Sequence, residues 1–171
     1  MRGISFFIFV SLIAVIFPSH VFGGENHQMD KIKARLHNSN DVIVWSKENL
    51  HYQNDDPWDK APSLDSIIAN GYGDCKMLAG VVAELLRHVG VENRIVTIKR
   101  KDIYHMFNVF TETPFEYKVI DNARLVPDSF NSFAAILNYY GVSAYEAKHR
   151  TYNDFKQWFN EKNSQRGHNQ K

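Results

Sequence analysis

The single cysteine of this 171-residue chain lies where a glycine-bearing loop gives way to an apolar run with helical spacing. The run extends from Cys75 to Val89, and Gly90 follows at a position that favours the end of a helix. We therefore expect Cys75 in the first turn of a helix, where free backbone N–H groups and the helix dipole favour a thiolate over a thiol. Gly71 and Gly73 leave room for a substrate backbone to approach the sulfur. The position predicts a nucleophile, although a lone cysteine is more often a small buried apolar residue.

A histidine and an aspartate that could activate this cysteine lie on two predicted strands, Tyr104–Phe110 and Phe115–Asp121. If Glu112–Pro114 is the loop between them, antiparallel pairing places His105 directly opposite Asp121, with Cβ atoms about 5 Å apart. A carboxylate at that separation can hold an imidazole nitrogen. The prediction depends on the register, because a one-residue slip would put the two side chains on opposite faces of the sheet.

Cys75, His105 and Asp121 together offer the chemistry of a catalytic triad. The thiolate attacks an amide carbonyl, the histidine takes and then returns a proton, and the aspartate fixes the tautomer and stabilises the imidazolium. The backbone N–H of Cys75 could donate to the oxyanion, and Trp58 is a weak candidate for a second donor.

Two stretches around the cysteine carry a family resemblance. The residues Gly73–Lys76, followed by Leu85–Val91, resemble the nucleophile helix of the transglutaminase-like cysteine peptidase superfamily, and Trp58–Leu64 resembles the lead-in of its bacterial members. The candidate triad also follows in the chain order, and on the types of element, that this fold uses. The resemblance implies an α+β, papain-like or transglutaminase-like fold, with the nucleophile helix packed on a small antiparallel sheet and extra helices at both ends.

The function implied by the resemblance and the candidate triad is that of an exported thiol hydrolase. Such an enzyme cleaves a peptide or amide bond through a cysteine thioester, and its substrate is a protein or peptide. One alternative is acyl transfer to an amine, which would cross-link proteins. Another is a non-enzymatic binding module that keeps the fold, although an intact triad argues against it.

The remaining elements are predicted from hydrophobic spacing and turn residues. Ser63 is expected to cap a short helix that leads to the loop of Gly71. The other predicted elements are the helices Met29–Leu36, Val42–Leu50, Ser129–Tyr140 and Ser143–Glu161, and the strand Arg94–Ile98.

The first 23 residues are typical of a secretory signal peptide. Arg2 precedes the uncharged apolar run Ile4–Phe17, and small residues before Gly24 suit cleavage. The alternative, an uncleaved membrane anchor, is disfavoured because a span needs about 20 apolar residues. We therefore predict an exported, periplasmic or secreted protein without stable membrane insertion, with one domain at 24–163 and a polar tail at 164–171.

Charge excludes one class of partner. The chain carries a formal net charge of +1, and removal of Arg2 leaves the mature protein about neutral. Nucleic-acid binding depends on concentrated positive charge, so no nucleic-acid partner is predicted. One cysteine cannot form an internal disulfide, and the chain is expected to be a monomer.

No cofactor is predicted. The six other histidines of the mature chain show no metal-ligand spacing, which disfavours zinc. Asp55, Asp56 and Asp59 could bind calcium but lack the spacing of a dedicated calcium loop. The resemblance allows calcium, because some bacterial members are calcium-dependent and have acidic residues on both sides of the nucleophile. Lys76 departs from that pattern.

Overall fold

The computed structural model describes residues 27–54 and 63–167 of the chain. The predicted signal peptide (1–23), Trp58 and the acidic loop of Asp55, Asp56 and Asp59 lie outside the described residues. Within these two ranges, no helix has both the length and the apolar character needed to cross a bilayer.

Six α-helices and seven strands form the described part of the chain. The helices are α1 (His27–Lys33), α2 (Ser39–Asn49), α3 (Leu64–Asn70), α4 (Cys75–His88), α5 (Phe133–Tyr140) and α6 (Tyr152–Gly167), with a 3-10 turn at Ala144–Glu146. The strands are β1 (His51–Tyr52), β2 (Tyr72–Gly73), β3 (Asn93–Arg100), β4 (Ile103–Thr113), β5 (Glu116–Asp121), β6 (Arg124–Leu125) and β7 (Ala147–Arg150).

The predicted α+β class is confirmed. Strands β3 to β7 form an antiparallel sheet in the order β6-β5-β4-β3-β7, and β1 and β2 form a separate parallel pair. Helices precede and follow the sheet in the chain, as predicted. The helix that begins at Cys75 is central, because every residue from Met77 to Leu86 is buried.

Alternation along the strands sends successive side chains to opposite faces of the sheet. Met106 packs with Ala79 and Ala83 of α4 and with aromatic residues of α6. Phe107, the next residue, packs with Ile136 of α5. Helices α4 and α6 therefore cover one face, and α5 covers the other. By the same alternation, His105 and Asp121 belong to the α5 face, as the predicted alternation requires.

The predicted register between β4 and β5 is wrong. Phe107, rather than His105, lies opposite Asp121. The strand β4 continues to Thr113, with an irregularity before its end, and the turn is Pro114–Phe115 instead of Glu112–Pro114. Phe115 adopts φ 66°, a left-handed conformation that is uncommon for a bulky residue and that closes the tighter turn. The shift in pairing is two residues, so the two side chains still share a face.

The region predicted as one helix, Ser143–Glu161, is a turn, a strand and a helix. Ala147–Arg150 pairs with β3 at the edge of the sheet, and α6 begins only at Tyr152. A strand of four residues is long enough to pair at the edge of a sheet. It is too short for its alternating side-chain pattern to be recognised within a segment whose apolar residues have helical spacing. Helix α6 also continues to Gly167, into the predicted polar tail.

Gly80 lets α6 approach α4 closely. A Cβ at this position would lie 2.7 Å from Cε1 of Phe155 and 3.3 Å from Cδ2 of Leu64. The first distance is shorter than real carbon contacts, and the Phe155 ring is buried. The absence of a side chain at Gly80 is therefore a packing requirement.

We expect Gly80→Ala to lower the free energy of unfolding by about 1 kcal/mol, measured by urea denaturation. Overpacking costs about 1–3 kcal/mol, and the better helix propensity of alanine returns about 1 kcal/mol. In a Phe155→Leu background, which makes room at this position, the same substitution should cost less. An increase in stability from Gly80→Ala alone would show that helix propensity outweighs packing here.

Candidate active site

The nucleophile candidate, Cys75, is the first residue of α4, as predicted. Asp74 is the N-cap, and its Oδ1 accepts a hydrogen bond from the backbone N–H of Met77 at 3.0 Å. Its Oδ2 pairs with the ammonium group of Lys76. Both carboxylate oxygens of Asp74 are thus engaged within the first turn, which fixes the start of the helix under the half-buried sulfur.

The loop before Cys75 is held by the parallel pair of β1 and β2. The N–H of Gln53 donates to the carbonyl of Gly73 at 3.0 Å, and Tyr52 lies opposite Gly73 in the register. A Cβ on Gly73 would lie 3.0 Å from Cβ of Met77, so a side chain there would push on the first turn of α4. The two glycines predicted to open the approach to the sulfur also shape the loop, since Gly71 adopts φ 74° at the end of α3.

His105 and Asp121 meet although they are not directly opposed. Nε2 of His105 lies 2.8 Å from Oδ1 of Asp121, and the two side chains are 25% and 20% exposed. Diagonal neighbours on one face of an antiparallel pair lie within reach of long side chains, which accounts for the contact. The hydrogen bond is therefore formed despite the error in the predicted register.

The imidazole of His105 interacts with Cys75 as well as with Asp121. Burial lowers the pKa of His105, but hydrogen bonds with Asp121 and with Cys75, and the charges of both partners, outweigh burial and raise the pKa from 6.5 to about 10. Since Nε2 is occupied by Asp121, the ring nitrogen left for the sulfur is Nδ1. The structure thus joins His105 to Asp121 by a hydrogen bond and brings Cys75 close enough to raise the pKa of the same imidazole.

A buried asparagine ties the strand of His105 to the helix of Cys75. Asn108 is fully buried on β4, and its side-chain N–H₂ donates to the carbonyl oxygen of Ala79 in α4 at 3.0 Å. Hydrogen bonds of buried groups are costly to leave unmade. This bond therefore opposes sliding of the helix along the strand.

Two tyrosines complete the surroundings of the candidate triad. The hydroxyl of Tyr140, on α5, donates to Oδ2 of Asp121 at 2.8 Å. Tyr52 is 49% exposed, and partial burial together with the negative charges of Cys75 and Asp74 raises its pKa. Tyr52 therefore lies close to Cys75, and Tyr140 contacts the carboxylate of Asp121.

Sequence reasoning missed both tyrosines as site residues. Tyr140 belongs to the aromatic run of the predicted helix Ser129–Tyr140, for which core packing is the usual explanation. A pairing of Tyr140 with Asp121 depends on the packing of α5 against the sheet, which no local pattern encodes. Trp58, the predicted second oxyanion donor, lies outside the described residues. Within the described ranges, no group of three or more His, Cys, Asp or Glu residues is arranged to hold a metal ion.

A family model matches more than half of the chain. The model is that of the Transglutaminase-like superfamily, and the match covers residues 25–118. Cys75 and His105 fall inside the matched range, and Asp121 lies three residues beyond its end. No curated protein matches the chain.

Solved structures of LapG from Legionella pneumophila are similar to this chain. An EGTA-treated form has 22% sequence identity and a TM-score of 0.43, and the match covers 61% of this chain and 66% of that chain. A calcium-bound form has 23% identity and a TM-score of 0.43, with 60% of this chain and 67% of that chain covered. The match thus spans just under two thirds of the EGTA-treated LapG chain.

Proposed function

The chain belongs to the transglutaminase-like superfamily, and we propose that it is a thiol hydrolase that cleaves a peptide or amide bond through a thioester on Cys75. The observation that carries the proposal is the position of His105, which is hydrogen-bonded to Asp121 at 2.8 Å and interacts with a cysteine at the start of a long helix. Nucleophilic catalysis by a thiol needs this order of groups, in which a carboxylate orients an imidazole and the imidazole activates the thiol. We further propose that the protein acts after export and removal of residues 1–23, as a monomer and without a cofactor.

In the proposed acylation step, Sγ of Cys75 attacks the carbonyl carbon of the substrate and a C–S bond forms. The C–N bond then breaks, and the leaving amine takes the proton from the His105 imidazolium. In this proposal the backbone N–H of Cys75, in the first turn of α4, donates to the oxyanion.

In the proposed deacylation step, neutral His105 takes a proton from water, and the hydroxide attacks the thioester carbonyl. The C–S bond breaks, the acid product leaves, and Cys75 is restored as a thiolate beside the imidazolium. Asp121 holds the imidazole through Nε2 during both steps. An amine that replaced water in the second step would give acyl transfer, the alternative activity within this family.

We expect iodoacetamide to alkylate Cys75 rapidly already at pH 7 in the folded protein. A free cysteine has a pKa of about 8.5, so an isolated thiol would react mainly above that pH. In the folded protein, the helix start and the imidazolium of His105, whose pKa is raised to about 10, both favour the thiolate over the thiol. The rate should therefore already be high at pH 7, and it should change again near pH 10, where His105 loses its proton.

The same chain unfolded in urea is the control for this profile, and it should show a single rise near pH 8.5. A single rise near pH 8.5 in the folded protein as well, or a sulfur that reacts only after unfolding, would contradict the proposal.

The raised pKa of His105 also determines how this group changes the stability of the fold with pH. Because the folded pKa of His105 lies above its ordinary value, this group stabilises the fold fully below pH 6.5 and ceases to do so as the pH rises through about 10.

A further inference from the structure

Asp121 is held from two sides. Oδ1 accepts the hydrogen bond of His105 Nε2, and Oδ2 accepts the hydroxyl of Tyr140, each at 2.8 Å. The two donors come from different elements, β4 and α5, that meet across one face of the sheet. A carboxylate with both oxygens bound in this way cannot rotate without losing one of the bonds.

The ring of Tyr140 is itself fixed by stacking. It lies parallel to the ring of Phe107, with centroids 4.3 Å apart and an interplanar angle of 13°. Phe107 is fully buried and lies directly opposite Asp121 in the strand pair. The stack therefore aims the phenol at the carboxylate through a rigid part of the core.

Tyr140 also keeps its proton. Burial, together with the charge of Asp121 and the hydrogen bond to it, raises the pKa of Tyr140 well above its ordinary range. The phenol is thus a donor over the whole pH range in which the protein would work.

We propose that Tyr140 is a positioning residue that orients Asp121, so that Asp121 in turn holds the His105 imidazole toward Cys75. The chain of contacts runs from Phe107 through Tyr140 and Asp121 to His105. The catalytic consequence rests on the proposed hydrolase function. The effect on the Asp121–His105 pair does not, because it is a property of the folded protein.

The first test is Tyr140→Phe, which removes the hydroxyl and keeps the ring that stacks on Phe107. Turnover of p-nitrophenyl acetate should fall about tenfold, the usual weight of one hydrogen bond to a charged group. The loss should appear in kcat with little change in KM, because Tyr140 acts on the imidazole through Asp121 and not on the substrate. Tyr139→Phe is the matched control, since Tyr139 is the neighbouring tyrosine of the same helix and is 53% exposed.

The second test is independent of activity. The Nε2 proton of His105, which is held in the hydrogen bond to Asp121, should exchange with water about tenfold faster in Tyr140→Phe, as measured by proton NMR. The exchange rate should not change in Tyr139→Phe. Faster exchange in Tyr140→Phe without any detectable turnover in the wild type would contradict the proposed hydrolase and support the positioning role.

The third test measures whether the effects of Tyr140 and Asp121 on turnover are coupled. In an Asp121→Asn background, Tyr140→Phe should cause little further loss of turnover, because its effect passes through the carboxylate. An unchanged exchange rate of the His105 Nε2 proton, or the same tenfold loss of turnover in both backgrounds, would contradict the positioning role. A loss of turnover that parallels a fall in unfolding free energy, with the exchange rate of the Nε2 proton unchanged, would show that Tyr140 is only structural.

Discussion

Cys75→Ser is expected to reduce turnover of p-nitrophenyl acetate and of casein on the order of 10⁴-fold or more, to the background rate. The serine hydroxyl has a much higher pKa than a thiol, and a helix start with one imidazolium cannot hold it as an anion. The fold should persist, because the sulfur is only half-buried and no hydrogen bond of the helix cap involves it. The measurement is the steady-state rate, with circular dichroism as the check on folding.

A folded Cys75→Ser protein that retained activity within tenfold of the wild type would contradict the assignment of the nucleophile. Cys75 is the only cysteine of the chain, so no second thiol could replace it. The activity would then have to come from a different kind of site. A fully inactive wild type with an intact fold would instead favour the binding-module alternative.

His105→Ala is expected to reduce the same rates about 10³-fold, because the partner of the thiolate and the proton donor to the leaving amine are lost together. Asp121→Asn should cost about 10- to 100-fold, the weight of one charged hydrogen bond that orients the imidazole. The double variant should be little worse than His105→Ala alone, since residues that act as a unit do not add. His37→Ala, at an exposed histidine between α1 and α2, is the control.

Multiplication of the two losses in the double variant would show that Asp121 does not act through His105. The 2.8 Å contact between them would then be a structural ion pair only. The result matters because the predicted direct opposition of these residues is wrong, and their contact depends on a diagonal reach across the strand pair.

The parts of the site that sequence predicts are those set by local rules. Helix α4 follows from apolar spacing and begins at Cys75, and Ser63 caps α3 as expected, accepting from the N–H of Ser66 at 3.2 Å. The alternation along β4 and β5 fixes which side chains share a face. That parity is why the contact of His105 and Asp121 survives a register error of two residues.

The parts that sequence does not predict depend on geometry beyond the local pattern. The turn at Pro114–Phe115 needs a left-handed conformation at Phe115. Phenylalanine is not a residue type that favours turns, so the sequence does not predict this conformation. The edge strand Ala147–Arg150 forms because it can pair with β3. Tyr140 contacts Asp121 because α5 packs on the same face of the sheet as the pair.

The mass of the protein after a brief reaction with p-nitrophenyl acetate and an acid quench tests most directly whether Cys75 is a nucleophile in the folded protein. The folded wild type should gain one acetyl group, and peptide mapping should place it on Cys75 as a thioester that hydroxylamine removes. Cys75→Ser and the urea-unfolded wild type should gain none at that site. Absence of the acetyl group from Cys75 in the folded wild type, or equal labelling of Cys75 in the folded and unfolded protein, would contradict the proposal that this fold activates Cys75 as a nucleophile.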